Sequence, residues 1–367
     1  MTDVLISGAG IAGSTLAYWL ARAGLTPTVV ERSQGTRSSG NPVDVRGPAV
    51  PVVKAMGVMP ALRQAATSVS TMSLLNPAGR PVARLRTPAA GGRRGEVEIP
   101  RADLAAALYE AARSDAEFVF DDTITELHPE GGGVEVVFGR GAPRRFDLVI
   151  GADGLHSTVR RLAFGPEQQY MHHLGLYVAT LPLGRPAERP DEIVLYNTPG
   201  RLASIHPGRG SAIAAFIFRG PAIADLDYRD SERHRGIVFD AYADAGWEVP
   251  RLLDALREAD EFYFDAVCAV RLDSWTRGRI GLVGDAASCV SLLGDGSSLA
   301  IAGAHTLAEA LSGHRDVAAA LRVYEQRHRR LVAPKQRNAG IAAAWLVPKT
   351  RQGLKTRNLT ARAMRAV

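Results

Sequence analysis

Several absences narrow the reading at once. The chain has two cysteines in 367 residues, Cys268 and Cys289, without Cys-x-x-Cys spacing. That excludes a disulfide framework and a thiolate zinc site, and it fits buried thiols in a reducing cytoplasm. No apolar run approaches the ~20 residues that cross a bilayer. The N-terminus also lacks a basic stretch followed by an apolar one, so neither a membrane segment nor a secretion signal is expected. The histidines are scattered, with no His-Glu-x-x-His spacing, and no metal is expected. Gly-x-Ser-x-Gly is missing, which removes a serine-hydrolase nucleophile elbow. Internal repeats and low-complexity tracts are absent too.

Acidic residues are missing from one region. From Gln326 to Val367 there are eleven Lys and Arg and no Asp or Glu. The formal net charge of +6 therefore divides into a body near −5, with 33 basic and 38 acidic groups, and a basic tail. Nucleic-acid binding would call for interleaved aromatics, and the tail has only Trp345, so nucleic acid is not an expected partner. Ala342–Val347 is apolar, and beyond Pro348 leucines, alanines and Met364 among basic residues suit an amphipathic helix with a solvated basic face.

What is present is an ordinary globular composition, 46% hydrophobic and 22% charged, on a length that favours two lobes. Asp3–Ser7 reads as a buried strand ending at Gly8, followed by a helix through Ala23 and a second strand from Thr26 to Val30. Strand, glycine turn, helix and strand in about 30 residues form one βαβ unit of a parallel sheet. Arg32 to Arg46 reads as a long loop over a ligand, residues 50–67 and 102–114 as helices, and Asp147–Ile150 and Ile280–Val283 as further short strands. Between 168 and 270 the texture changes to short apolar runs separated by turns, which predicts an inserted antiparallel sheet. The expected architecture is α/β: a Rossmann-type unit from 1–70, 96–167 and 271–335, a second, mostly antiparallel β-sheet unit from 71–95 and 168–270, and a basic C-terminal helix over 336–367.

Gly8-Ala9-Gly10-Ile11-Ala12-Gly13 is a dinucleotide fingerprint. Gly8 permits the tight turn, Gly10 lets a pyrophosphate approach the backbone, and Gly13 lets the helix pack on the strand. The pyrophosphate would sit on amides at the positive end of that helix. Glu31, 18 residues beyond Gly13 and followed by Arg32, ends the second strand, where a carboxylate can accept from a ribose. NAD(P) and FAD both remain open on these residues, although Glu31 disfavours a 2′-phosphate.

Two later motifs sharpen the choice: Gly151-Ala152-Asp153-Gly154-Leu155-His156-Ser157-Thr158-Val159-Arg160, and Gly281-Leu282-Val283-Gly284-Asp285-Ala286-Ala287. With the fingerprint, they resemble the class A FAD-dependent monooxygenases of the para-hydroxybenzoate hydroxylase fold. Arg101, in Ile99-Pro100-Arg101, resembles that family's helix-start arginine, and Val43-Asp44-Val45-Arg46-Gly47 resembles the polyketide-tailoring and tetracycline-modifying branch. The resemblance implies that FAD contacts Asp285, Arg101, Arg46 and the Gly294, Gly296, Ser297 and Ser298 turn, and associates Asp153 and Gly154 with both FAD and NAD(P)H. Arg160 reads equally as a surface salt-bridge arginine. It further implies that NAD(P)H docks transiently as co-substrate and reduces FAD, and that O2 adds at the flavin C4a. The resulting hydroperoxide would hydroxylate an aromatic or polyketide-like small molecule. A non-redox cyclisation or rearrangement with structural FAD is the alternative. The basic tail could also attract the pyridine nucleotide.

One stretch departs from the family pattern. Where a proline and a Gly-x-Gly turn are expected, the chain reads Ser291-Leu292-Leu293-Gly294-Asp295-Gly296. An Asp295 facing the flavin would oppose an anionic reduced ring, and the expected orientation is toward solvent, because a buried unpaired charge is costly. No catalytic residue is identified. Tyr196, His206, Arg219 and Leu292 are candidate substrate contacts, the first three on the sheet that would roof the pocket. The halogenase Trp-x-Trp-x-Ile-Pro motif is missing, and the oligomeric state is open.

Overall fold

The computed structural model describes residues 2–35, 42–87, 95–224, 226–289 and 294–364. Val4, Leu5 and Ile6 have no exposed surface because Asp3–Ser7 lies inside a six-stranded sheet, pairing in parallel with Thr26–Glu31 on one side and Leu148–Gly151 on the other. Glu117–Phe120 lies beyond Thr26–Glu31, and Ile280–Leu282 beyond Leu148–Gly151, both also parallel. The short antiparallel strand Thr276–Arg277 closes one edge. Strands buried on both faces read as unbroken apolar runs, which is the pattern here. Leu16, Leu307 and Leu321, from helices Ile11–Arg22, Gly296–Gly313 and Val317–Leu346, complete this core.

A second, seven-stranded sheet runs in the order Tyr263–Val270, Met171–Pro182, Ile213–Arg219, Arg201–His206, Glu192–Thr198, Thr71–Leu75, Pro81–Arg86. It is antiparallel except where Glu192–Thr198 pairs with Thr71–Leu75. One face packs Phe216, Phe218 and Tyr196 under helices Ser231–Tyr242 and Val249–Glu258. The opposite face packs Leu176, Leu195 and Ile217 under Ala343 and Val347 at the end of the long helix and under Ala361 of helix Arg351–Met364.

The elements differ from the sequence reading in four places. The single helix read over 50–67 is two, Ala49–Ala55 and Met59–Ala65, because Gly57 takes a φ of +75° between them. Part of the stretch read as loop, Pro42–Val45, is a strand paired with Val97–Pro100. The two helices inside 168–270 were hidden by the strand texture around them. Finally, the boundary read at 336 falls inside Val317–Leu346; the chain breaks instead at Val347 and Pro348.

The tail's basic face is also less solvated than its composition suggests. Arg357 is 4% exposed and donates to Asn197 Oδ1 at 2.8 Å, and Arg362 donates to the Val82 carbonyl. Both side chains hold the last helix on the second sheet.

Candidate active site

The turn Gly8–Gly13 is built by crowding. Gly8 has φ +102°, and a Cβ there would stand 2.8 Å from the Ala152 carbonyl; at Gly13 it would stand 1.9 Å from the Gly8 carbonyl. Neither position admits a side chain. At Gly10, by contrast, a Cβ would meet nothing within 4 Å. The backbone there faces open space beside the N-terminus of Ile11–Arg22, whose first amides lack helical partners. Ala12 packs instead against Gly284, where a Cβ would stand 3.0 Å away. Glu31 is oriented by two amides, Ala9 N to Oε2 and Ser33 N to Oε1, each at 3.0 Å. Arg32 is exposed beside it.

The two motif aspartates stand in different surroundings. Asp153 accepts from Ser157 Oγ, from Val159 N at 3.1 Å and from Ser7 Oγ at 3.3 Å, so its carboxylate is spent within the scaffold while Gly154 turns the chain at φ +79°. Burial pushes its carboxyl up, and these bonds pull it down. Among the described residues no hydrogen bond reaches the Asp285 carboxylate. It lies 3.8 Å from where a Cβ on Gly296 would stand, so it sits at the start of Gly296–Gly313. Gly284 holds that point against both this helix and Ile11–Arg22, through Ala300 and Ala12. Two helix N-termini thus converge on Asp285. Open space at Gly10, and first-turn amides and a carboxylate without partners among the described residues, fit a dinucleotide whose pyrophosphate and polyol need donors and an acceptor.

Ser297 and Ser298 direct their hydroxyls elsewhere. Both donate to the Asp44 carbonyl, at 2.6 and 2.9 Å, and Ser298 Oγ accepts from Arg46 N at 3.0 Å. Only the backbone amides of that first turn remain to meet a ligand. Arg46 binds Asp295 Oδ1 through Nε and Nη2, both at 2.9 Å, and Asp44 at 3.2 Å. Lys335 reaches Asp295 Oδ2 at 2.7 Å. Asp295 is therefore not the solvent-facing turn residue expected: its side chain is 14% exposed, and two cations remove the penalty for burying it. Gly294 turns at φ +68° against Asp44 and Arg46. Burial holds the Asp44 carboxyl above its usual range, against the pull of Arg46. Leu292 lies outside the described residues.

Of the remaining substrate candidates, two are committed elsewhere. Tyr196 is 3% exposed on the helix-covered face, stacked on Trp247 and bonded to the Pro77 carbonyl. Arg219 donates to the carbonyls of Val347 and Ala343, at 2.7 and 3.1 Å, and so closes the end of the long helix. The alternation of strand side chains puts His206 and Ser204 on the other face with Leu202, and Ser204 Oγ pairs with His206 Nε2 at 3.0 Å. Burial lowers the His206 pKa to about 4, so the ring is neutral at pH 7. Tyr263 lies on the same face. The residue is 37% exposed, but its hydroxyl is desolvated where it meets Asp265. Desolvation and that carboxylate both push the phenol up and keep it protonated, while Arg101, exposed at the first position of helix Arg101–Ala112, pulls it down.

A network missed by the sequence reading joins the two sheets. His156 pairs through Nδ1 with Glu167 at 3.0 Å and through Nε2 with Asp265 at 3.2 Å, and Tyr263 donates to the same Asp265 oxygen. Two carboxylates raise the His156 pKa to about 10 against the opposing effect of burial. Arg160 has no exposed surface, so it is not a surface arginine; it donates to Ala286 O at 3.1 Å and pairs with Glu167 at 3.2 Å. The Asp-Gly motif and the Gly-Asp motif are thereby tied together. The place of Arg160 in its motif was the available signal; its partners are 126 and 7 residues away.

Comparison with known proteins gives a consistent picture. The profile of the FAD binding domain family matches residues 1–338. An uncharacterised protein of Mycobacterium tuberculosis is 39% identical over 322 residues, 86% of either chain. A flavin-dependent monooxygenase from an unknown prokaryotic organism is 36% identical, covering 88% of this chain and 84% of its own. The crystal structure of tetracycline destructase Tet(55) superposes with a TM-score of 0.86 at 32% identity, over 99% of this chain and 96% of that one.

Proposed function

Because this chain belongs to the FAD binding domain family that includes flavin-dependent monooxygenases, we propose that it oxygenates an aromatic or polyketide-like small molecule using NAD(P)H and O2. Two-electron uptake and O2 activation are the chemistry of bound FAD. The chain's own residues bind, orient and enclose. Glu31 receives the adenosine ribose, the amides around Gly10 receive the pyrophosphate, and Asp285 receives the polyol between them and Gly296. The sheet face bearing His206, Tyr263 and Asp265 roofs the reacting end. Neutral His206 can exchange a hydrogen bond with a substrate enol or phenol, while the Tyr263 phenol holds its proton. The observation that carries this reading is the Asp285 carboxylate, without a hydrogen-bond partner among the described residues, beside two helix N-termini. A tetracycline-like substrate is favoured by the likeness to tetracycline destructase Tet(55) at 32% identity.

The test is anaerobic mixing of the flavin-loaded protein with NADPH or NADH and candidate phenols and polyketides. The expected result is loss of the oxidised flavin absorbance, faster with a true substrate, then an oxygenated product once O2 returns. Flavin that stays oxidised with either nucleotide and every substrate would remove the monooxygenase reading.

A further inference from the structure

Glu31 ends one strand of the six-stranded sheet, and Gly8 and Asp285 follow two others, where the lateral order is Thr26–Glu31, Asp3–Ser7, Leu148–Gly151, Ile280–Leu282. A dinucleotide anchored at Glu31 and crossing Gly10 therefore continues toward Asp285 and the N-terminus of Gly296–Gly313. In a dinucleotide laid this way, the redox ring would be the part that reaches this second helix. Taking up two electrons and one proton makes that ring a monoanion, which the helix's positive end favours. Asp295, at the N-cap of the same helix, opposes it. Its carboxylate caps no amide; both oxygens are directed to Arg46 and Lys335.

We propose that the Asp295, Arg46 and Lys335 cluster sets the reduction potential of the bound flavin, with Asp295 lowering it and the two cations raising it. The proposal rests on the FAD reading above. Its physical basis is placement: Lys335 is carried in from Val317–Leu346, and Arg46 follows Pro42–Val45, so both cations come from elements outside the turn they neutralise. Gly294, with a would-be Cβ 3.0 Å from Asp44 Oδ2 and 3.2 Å from Arg46 Nη2, leaves room for this convergence. Because the cluster holds charges of both signs, removing Asp295 or Lys335 should move the potential in opposite directions. A purely structural ion pair would not give that pattern.

The experiment measures the two-electron potential of wild-type, Asp295→Asn, Lys335→Met and the double variant against reference dyes, with flavin content determined on each. The Asp295→Asn protein should be easier to reduce and the Lys335→Met protein harder, each by about tenfold in the oxidised-to-reduced ratio at fixed poise, or about 30 mV for a two-electron couple. The double variant should lie near wild type. Potentials that stay at the wild-type value, or move the same way in both single variants, with flavin content intact, overturn the proposal and leave FAD binding standing. If Asp295→Asn does not retain flavin, Lys335→Met decides alone: an unchanged potential overturns it. A wild-type protein that takes up no FAD overturns the underlying reading instead.

Discussion

Asp153 and Asp285 show why a motif residue has to be judged by what its carboxylate still has free. Three protein donors occupy Asp153, and Asp285 has none among the described residues. The first supports the scaffold, and the second is the one we propose for the ligand. Asp285→Ala should weaken FAD binding by about 10- to 100-fold, the range for losing hydrogen bonds to a charged group, while the protein stays folded. Flavin-to-protein ratio and FAD titration measure this; wild-type affinity in the variant would refute the assignment. The same test of free valence separates His206, whose hydrogen-bond partner among the described residues is Ser204, from Tyr196 and Arg219, which sequence reasoning had grouped with it. Strand position was legible for all three. Face and partner were not, because a strand's alternation says which residues share a side but not which side meets the flavin unit.

At the level of elements, the chain's end is a polar joint. Asn197 has no exposed surface, and its Nδ2 donates to the Leu346 carbonyl at 3.2 Å while Oδ1 accepts from Arg357. The Gly200 amide donates to the Pro348 carbonyl at 2.8 Å, and Arg219 covers the carbonyls of Val347 and Ala343. Asn197 therefore bonds to both C-terminal helices at once. Asn197→Ala would leave a part-buried carbonyl and a buried guanidinium without this partner, at about 2–4 kcal/mol. The expected readout is a lower Tm with faster proteolysis near Lys349; an unchanged Tm and cleavage rate would show that the joint contributes nothing. The sequence reading placed a helix after Pro348 but took its basic residues as solvated. Arg357 was indistinguishable from its neighbours by composition, since its partner lies 160 residues earlier.

Over the whole molecule, three histidines give stability a maximum near neutral pH. Two carboxylates raise His156 to about 10, so its contribution is complete below about pH 6.5 and is lost as pH climbs toward 10. Burial lowers His206 and His328 to about 4, so each is folded neutral, and protonation favours the unfolded chain increasingly as pH falls from about 6.5 to 4. His328 is 1% exposed, and among the described residues neither ring nitrogen has a partner, which makes its share of the acid loss about 3 kcal/mol. Tm measured against pH should fall on both sides, with His328→Leu flattening the acid limb; a Tm that holds level to pH 4 contradicts this. The sequence by itself determined the βαβ unit, the glycines no side chain can replace, and the three motifs that mark the family. These rest on local backbone geometry and short spacing, which a linear reading contains. Tertiary structure alone decided the pairing of Asp295 with Arg46 and Lys335, the burial of Arg160 and Arg357, and the face on which His206 stands. A charge's environment depends on groups tens to hundreds of residues away, so the absence of acid from the tail became legible only when Lys335 met Asp295 and Arg357 met Asn197.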